Sequence, residues 1–355
     1  MARSHLTLAA LATSAVPGLD VSATQPFTNS SHGDFDSAYL TDRDGRHLII
    51  RVPTSALAEQ EQLGDLIALR ALTAGIRSRL PFDVQNYLGQ ARFDGTRAMV
   101  YDYLEGDVVA IEQVAAGTGL ADSIGRAIGA VHGLPASFIG DAGLPMLSAR
   151  ECLNEAVAVI ERAADTGHVP AALVARWEEA SSDEELWQFD PTVVHGSMTV
   201  DSFLRSGDTV SGVLGWAALR VGDPARDLHW LLGAAGAGTA LAAYGRMRAG
   251  AVDRLIRQRA QLYAELELAR WLLHGTEVGD DAIVADAVGM LDTLVDSVLA
   301  DLSAPLSTET GPILAVSEVE ELLANTPGAR SGSSLHGRGL EPVTEESDSD
   351  NSRSE

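Results

Sequence analysis

Cysteine is almost absent: Cys152 is the only one in 355 residues. No intrachain disulfide and no thiolate metal cluster can form, which suits a reducing cytoplasm. Cys152 sits in an apolar helical pattern with no activating neighbour in view, so it is expected as core filler and not as a nucleophile. Long apolar runs are missing too. None reaches the ~20 residues that a membrane span requires, and the apolar start "MARSHLTLAALATSAVPGL" is interrupted by Thr7, Thr13 and Ser14. It reads as an amphipathic first helix in preference to a secretory leader. Leu8, Leu11, Ala12 and Ala15 share one face, and Pro17-Gly18 ends it. Positive charge is scarce. Fifty acidic side chains face 25 basic ones, for a formal net charge of −25 and a pI near 4.6. That balance repels nucleic acid and anionic membrane, so neither is expected as a partner. No repeat of fixed period is visible, and no G-x-G-x-x-G pattern occurs in the glycine-poor stretch "TNSSHGDFD", where only Gly33 gives freedom.

What is present is a globular chain, 46% hydrophobic and long enough for two lobes. Residues 32–53 read as a hairpin around Asp44-Gly45, a strong turn signal. A helix follows over "SALAEQEQLGDLIALRAL", with Leu63, Leu66 and Ile67 at helical spacing. Two further strands surround Asp94-Gly95. Strand, strand, helix, strand, strand makes a small α+β unit over residues 1–105. Residues 106–305 are mainly helical by periodicity, with two strands interrupting at 193–215. Leu120, Ile124, Ile128 and Val131 share a face of the first helix, which Pro135 closes. Residues 306–355 lose the pattern, apart from a short helix at "VSEVEELLAN". After Pro327 the composition is polar and acidic, so this segment is expected to be a disordered acidic tail.

Two stretches carry chemical information: "VVHGSMTVDSFL" at 193–204 and "VLGWAALRVGDPARDLHWLL" at 213–232. Together they resemble the aminoglycoside phosphotransferase family, with macrolide phosphotransferases closest in texture. The resemblance implies a bilobal protein-kinase-like α+β fold, with a small β-rich N-lobe and a larger helical C-lobe. It also implies transfer of the γ-phosphate of ATP or GTP to a hydroxyl of a small molecule. The family's catalytic loop runs His-Gly-Asp, about four residues, then Asn or His. Its metal strand reads Ile-Asp-Trp, then Gly-Asp-Pro and an acid. His195-Gly196, Trp216 and Gly222-Asp223-Pro224-Ala225-Arg226-Asp227-Leu228 match.

The acids do not. Ser197 stands in the base slot, Ser202 in the Asn slot and Gly215 in the Mg²⁺-ligand slot. A serine hydroxyl is no general base near neutral pH, and its loss as a base costs ~10²–10⁴-fold. Gly215 offers the metal no side chain, which removes a separate charge-stabilising contribution. Mg²⁺ is therefore not expected by the family mechanism. Asp201, four residues after Ser197, is a loop acid bonding local amides; its alternative role is a surrogate base or metal ligand. The resemblance gives His195 a supporting role in the loop, and gives Asp223 and Asp227 structural roles.

On the nucleotide side, Arg51 in "LIIRVP" stands where the family places a phosphate-binding Lys or Arg. Glu59, Glu61 or Asp65 could pair with it; spacing does not decide. The backbone around Asp102, Tyr103 and Leu104 in "AMVYDYLEG" would meet the base. Tyr244, Tyr263 and Trp271 lie on late helices that line the acceptor pocket in relatives, though amphipathic placement reads them as core. The acidic surplus favours a cationic acceptor only as a diffuse attraction. Two functions follow: a cytoplasmic pseudokinase binding a small molecule or a regulatory protein, and an active ATP- or GTP-dependent kinase of a small molecule.

Overall fold

The computed structural model of the chain describes residues 3–27, 34–248 and 253–300. The expected tail from 306, and residues 28–33 of the stretch "TNSSHGDFD", lie outside the described residues. The first lobe holds α1 (His5–Ala15), β1 (Val21–Pro26), β2 (Phe35–Asp42), β3 (His47–Pro53), α2 (Ala56–Ala71), α3 (Ala74–Arg77), β4 (Tyr87–Phe93) and β5 (Thr96–Asp102). Its antiparallel sheet has the order β1-β2-β3-β5-β4. This sheet has one strand more than expected, because β1 was not read from the sequence. At the β4–β5 turn Asp94 takes φ 49° and Gly95 φ 81°, the paired positive angles of a two-residue hairpin turn. The two sheet faces have different tasks. Ala38, Leu40, Leu48, Ile50, Val52, Ala98 and Val100 pack on Leu8, Ala12 and Ala15 of α1. Strand alternation turns Arg51, Met99 and Tyr101 to the other face, where Met99 and Tyr101 meet Leu66 and Leu69 of α2. Ser4 and Ser55 cap α1 and α2 through their side chains.

The second lobe contains β6 (Asp107–Val108), α4 (Gly119–His132), α5 (Ser137–Asp141), α6 (Ala149–Asp165), α7 (Ala171–Ser182), β7 (Thr192–Val194), β8 (Phe203–Ser206), β9 (Thr209–Val213), β10 (Arg220–Gly222), α8 (Ala237–Met247), α9 (Ile256–Val278) and α10 (Asp281–Ala300). Two small antiparallel sheets, β10-β7 and β6-β8-β9, lie among the helices and brace the motif segments. One continuous core joins α2, α4, α6, α7 and α9 around Trp177, Trp216 and Trp230. Tyr244 and Tyr263 belong to that core. Cys152 is buried in it, and burial pushes its thiol up to about 11, so it carries no nucleophile. Among the described residues no helix is long and apolar enough to cross a membrane.

Candidate functional site

The loop that would carry the chemistry begins where β7 ends. His195 and Gly196 follow Val194 directly and are buried. Asp227, fully buried at the end of the 3-10 turn Pro224–Asp227, holds both. Its Oδ2 accepts from the His195 amide at 2.7 Å and its Oδ1 from the Gly196 amide at 2.8 Å. One carboxylate thus fixes two successive peptide groups. His132 of α4 donates from Nε2 to the same Oδ2 at 3.1 Å, and Tyr244 of α8 lies 2.9 Å from its Nδ1. Burial works against charge on Asp227. The hydrogen bond and charge of His132, then His195 and the Gly196 amide, nonetheless hold its carboxyl below the usual range. Gly196 takes φ +88°, and a Cβ there would sit 2.3 Å from the Ala218 carbonyl oxygen, so this corner admits glycine alone.

His195 acts as a strut. Its Nε2–H donates to the Leu214 carbonyl at 3.0 Å, and its ring centroid lies 4.8 Å from that of Trp216. Burial pushes its pKa down, and its Nδ1 is buried without a partner. A neutral ring therefore ties the loop after β7 to the chain at Leu214.

The slots themselves hold no carboxylate. Ser197 is exposed. Past it the chain closes a tight turn in which Thr199 donates from its hydroxyl to the Asp201 carboxylate and from its amide to Ser202 Oγ at 3.1 Å. Asp201 is exposed, whereas Ser202 is buried and accepts from the Leu214 amide through its carbonyl at 2.9 Å. Gly215 is left-handed, with φ 79° and ψ 51°, and a Cβ built on it would meet nothing within 4 Å. Asp223 is committed elsewhere. Its two oxygens take Arg259 Nε at 2.7 Å and Nη2 at 3.2 Å, and Oδ1 also accepts from the Ala225 amide at 2.9 Å. Among the described residues, no group of three or more His, Cys, Asp or Glu side chains could hold a metal ion. The donor set here, two serine hydroxyls, one glycine and two acids bonded elsewhere, does not fit Mg²⁺, which asks for carboxylate oxygens and room for its waters.

On the opposite wall Arg51 leaves β3 with its guanidinium 4.2 Å from the Phe35 ring centroid and its Nε buried without a partner. Of the three acids offered by α2, Asp65 has a carboxylate that feels the Arg51 charge. Glu59 and Glu61 have different settings: Glu59 is half-buried in the first turn of α2 and Glu61 is exposed. Asp65 accepts from the Trp216 amide at 2.8 Å. Burial pushes its carboxyl up to about 6, against the pull of Arg51 and that amide. At the link between lobes, Tyr103 donates its amide to the His47 carbonyl at 3.0 Å, and its ring stands edge-on to Tyr39, 5.0 Å between centroids. The Asp102 carboxylate takes the Asn86 amide and side chain, each at 2.6 Å, and its carbonyl takes Gln85 Nε2 at 3.2 Å. Leu104 is half-buried beside them.

Sequence reading did not find His132 or Arg259. Each lies far along the chain from the acid it serves, and each sits in a helix whose periodicity marks it only as inward-facing. A polar residue on a buried helical face was the available signal.

The sequence of the chain matches the model of the Phosphotransferase enzyme family (APH) over residues 28–274. No curated protein matches it. Among solved structures it is similar to a macrolide 2'-phosphotransferase type I, at 24% identity and a TM-score of 0.66, covering 81% of this chain and 96% of that one. It is also similar to the apoenzyme of macrolide 2'-phosphotransferase MphH from Brachybacterium faecium, at 21% identity and a TM-score of 0.66, covering 80% and 97%. A third is the GDP and kanamycin complex of APH(2")-IIIa, at 16% identity and a TM-score of 0.67, covering 81% and 98%. These neighbours share the protein-kinase-like fold, and with the family model matching well over half of its length, the chain belongs to the Phosphotransferase enzyme family.

Proposed function

We propose that the protein is a pseudokinase of this family: it keeps the fold and a ligand cleft, and acts in the cytoplasm by binding or regulation without efficient phosphoryl transfer. One observation carries this reading. The base and metal slots hold Ser197 and Gly215, and the next acid after each in sequence, Asp201 and Asp223, is bonded to Thr199 and Arg259 respectively. Phosphoryl transfer relies on positioning and charge neutralisation, so losing a base and a metal ligand together removes two contributions to one transition state. The nucleotide wall supports retained binding. Arg51 presents a planar fork suited to phosphate oxygens, and a structure similar in fold was solved with GDP.

The expected result is weak ATP or GTP binding that is nearly independent of Mg²⁺. Calorimetry with each nucleotide, with and without Mg²⁺, tests it; a tenfold gain with the metal (~1.4 kcal/mol) would overturn it. So would nucleotide turnover with a hydroxylated acceptor that Asp201→Asn abolishes, since Asp201 would then be a surrogate base.

A further inference from the structure

A recess of about 290 Å³ opens on the first lobe, where α2 hands over to α3 and β4 begins. Leu69 and Leu72 close its floor at 4% and 1% exposure, and Ala74 and Tyr87 add to its wall. Neither Arg51, Asp65, Ser197 nor Gly215 lines it. A concave site of this size with an apolar floor suits a small molecule whose body is apolar.

Two guanidiniums border the recess, and they differ in what they have left to offer. Arg77 closes the end of α2. Its Nε donates to the Leu72 carbonyl at 2.5 Å, and its Nη2 to the Leu69 and Gln85 carbonyls at 3.1 and 3.0 Å. Its Nη1 donates to the Val84 carbonyl at 2.5 Å and to Asn86 Oδ1 at 2.9 Å. All its donors are spent on neutral oxygens, so its charge has no counter-ion in contact. Arg70 is the reverse case. Its guanidinium lies 5.2 Å from the Tyr87 ring centroid, and among the described residues it has no hydrogen-bond or ion-pair partner. The two cations are placed by these bonds: Arg77 holds Leu69 and Asn86, the chain neighbours of Arg70 and Tyr87. One carboxylate acts on Arg77, that of Asp102, and Asn86 occupies both of its oxygens at 2.6 Å. With Asp102 counted, two positive charges stand against one negative. The free fork of Arg70 matches a carboxylate, which it can hold through two parallel bonds while the Tyr87 ring supports its face. A compact inorganic anion would leave the apolar floor uncovered.

We propose that this recess binds a small carboxylic acid in its ionised form, with the carboxylate on Arg70 and an apolar body over Leu69 and Leu72. It is a second ligand site, separate from the cleft residues, and it stands whether or not the cleft transfers phosphate.

Ligand-observed NMR titration of the full chain at low ionic strength tests it with benzoate, hexanoate, neutral benzamide and inorganic phosphate. At least one of the two carboxylates is expected to bind about tenfold or more tightly than benzamide or phosphate. Arg70→Gln should remove that advantage, and Arg70→Lys, which keeps the charge without the fork, should restore only part of it. Arg70 is exposed, so both variants should keep the parent's melting temperature. Arg92, exposed on β4 and outside the recess, is the control: Arg92→Gln should leave binding unchanged. Failure of both carboxylates to bind overturns the proposal, as does benzamide or phosphate binding equally well. An equal loss in Arg92→Gln would reduce the effect to diffuse charge and overturn it too. Displacement of the bound carboxylate by ADP would overturn it by assigning the binding to the cleft.

Discussion

Ser197 and Gly215 differ from the residues around them in what they would tolerate. Gly215 is left-handed but open, with nothing within 4 Å of a built Cβ, and aspartate enters that region more readily than most residues. Ser197 is exposed, so a carboxylate there is solvated. Behind them the scaffold is intact: Asp227 grips two loop amides and His195 braces the metal strand. The fold should therefore accept Ser197→Asp and Gly215→Asp together. The double variant is expected to gain Mg²⁺-dependent nucleotide binding, most of it through Gly215→Asp, whereas any phosphoryl transfer needs both substitutions because base and metal act on one transition state. Calorimetry with and without Mg²⁺ reads this directly. A double variant with the parent's melting temperature and no metal-dependent gain would show that the loop has drifted from the family geometry.

At the level of elements, α4 and α8 show how closely two helices can approach when one supplies glycine. A Cβ on Gly125 would lie 2.0 Å from the Ala240 carbonyl oxygen, and one on Gly129 would lie 2.7 Å from Met247 Cβ. Gly125→Ala would gain ~1 kcal/mol of helix propensity but must push α8 away from α4. Overpacking of that kind costs about 1–3 kcal/mol or more, so urea unfolding should show net destabilisation. Gly245, on α8 itself, has open space around a built Cβ, and Gly245→Ala should stabilise by up to ~1 kcal/mol. Much at this scale was legible in the sequence. Both hairpins announced themselves through Asp-Gly turns, and α1 and α2 through apolar spacing, with Pro17-Gly18 ending α1. β1 did not, because "VSATQP" is polar and sits at a sheet edge, half-buried with no apolar alternation. α4 starts at Gly119, after a Thr118 cap, and the stretch before it forms only a 3-10 turn at Ile111–Gln113. At the site, His195, Ser197, Gly215, Asp223 and Asp227 were readable because they form two compact motifs. His132 and Arg259 were not, since each reaches its acid across tens of residues that only tertiary packing brings together. The partner of Arg51 stayed open for a similar reason. Three acids share α2, and the choice of Asp65 depends on where Trp216 arrives from the other lobe.

At the scale of the whole molecule, few polar contacts among the described residues join the lobes, which gives each of them weight. Asp83 pairs both ways with β9, through its amide to Ser211 at 2.9 Å and its carbonyl from Val213 at 3.2 Å. The link strand is tied by Tyr103 to His47. The third tie, Asp65 to the Trp216 amide, is the one that titrates near neutrality, because burial pushes that carboxyl up to about 6. The direction of its effect follows from linkage. A carboxyl raised above its unfolded value, ~3.9, contributes stability that is fully present below that value and is lost as pH rises through about 6. Asp65→Asn keeps an oxygen for the Trp216 amide and removes the ionisation. The variant's melting temperature relative to the parent should therefore climb from pH ~4 upward and level off once the pH passes the carboxyl's value of about 6. Scanning both proteins across that range by differential scanning calorimetry checks it. A flat or falling difference would mean that Arg51 keeps Asp65 ionised throughout, as a true ion pair within the first lobe, and that the tie between the lobes does not respond to pH.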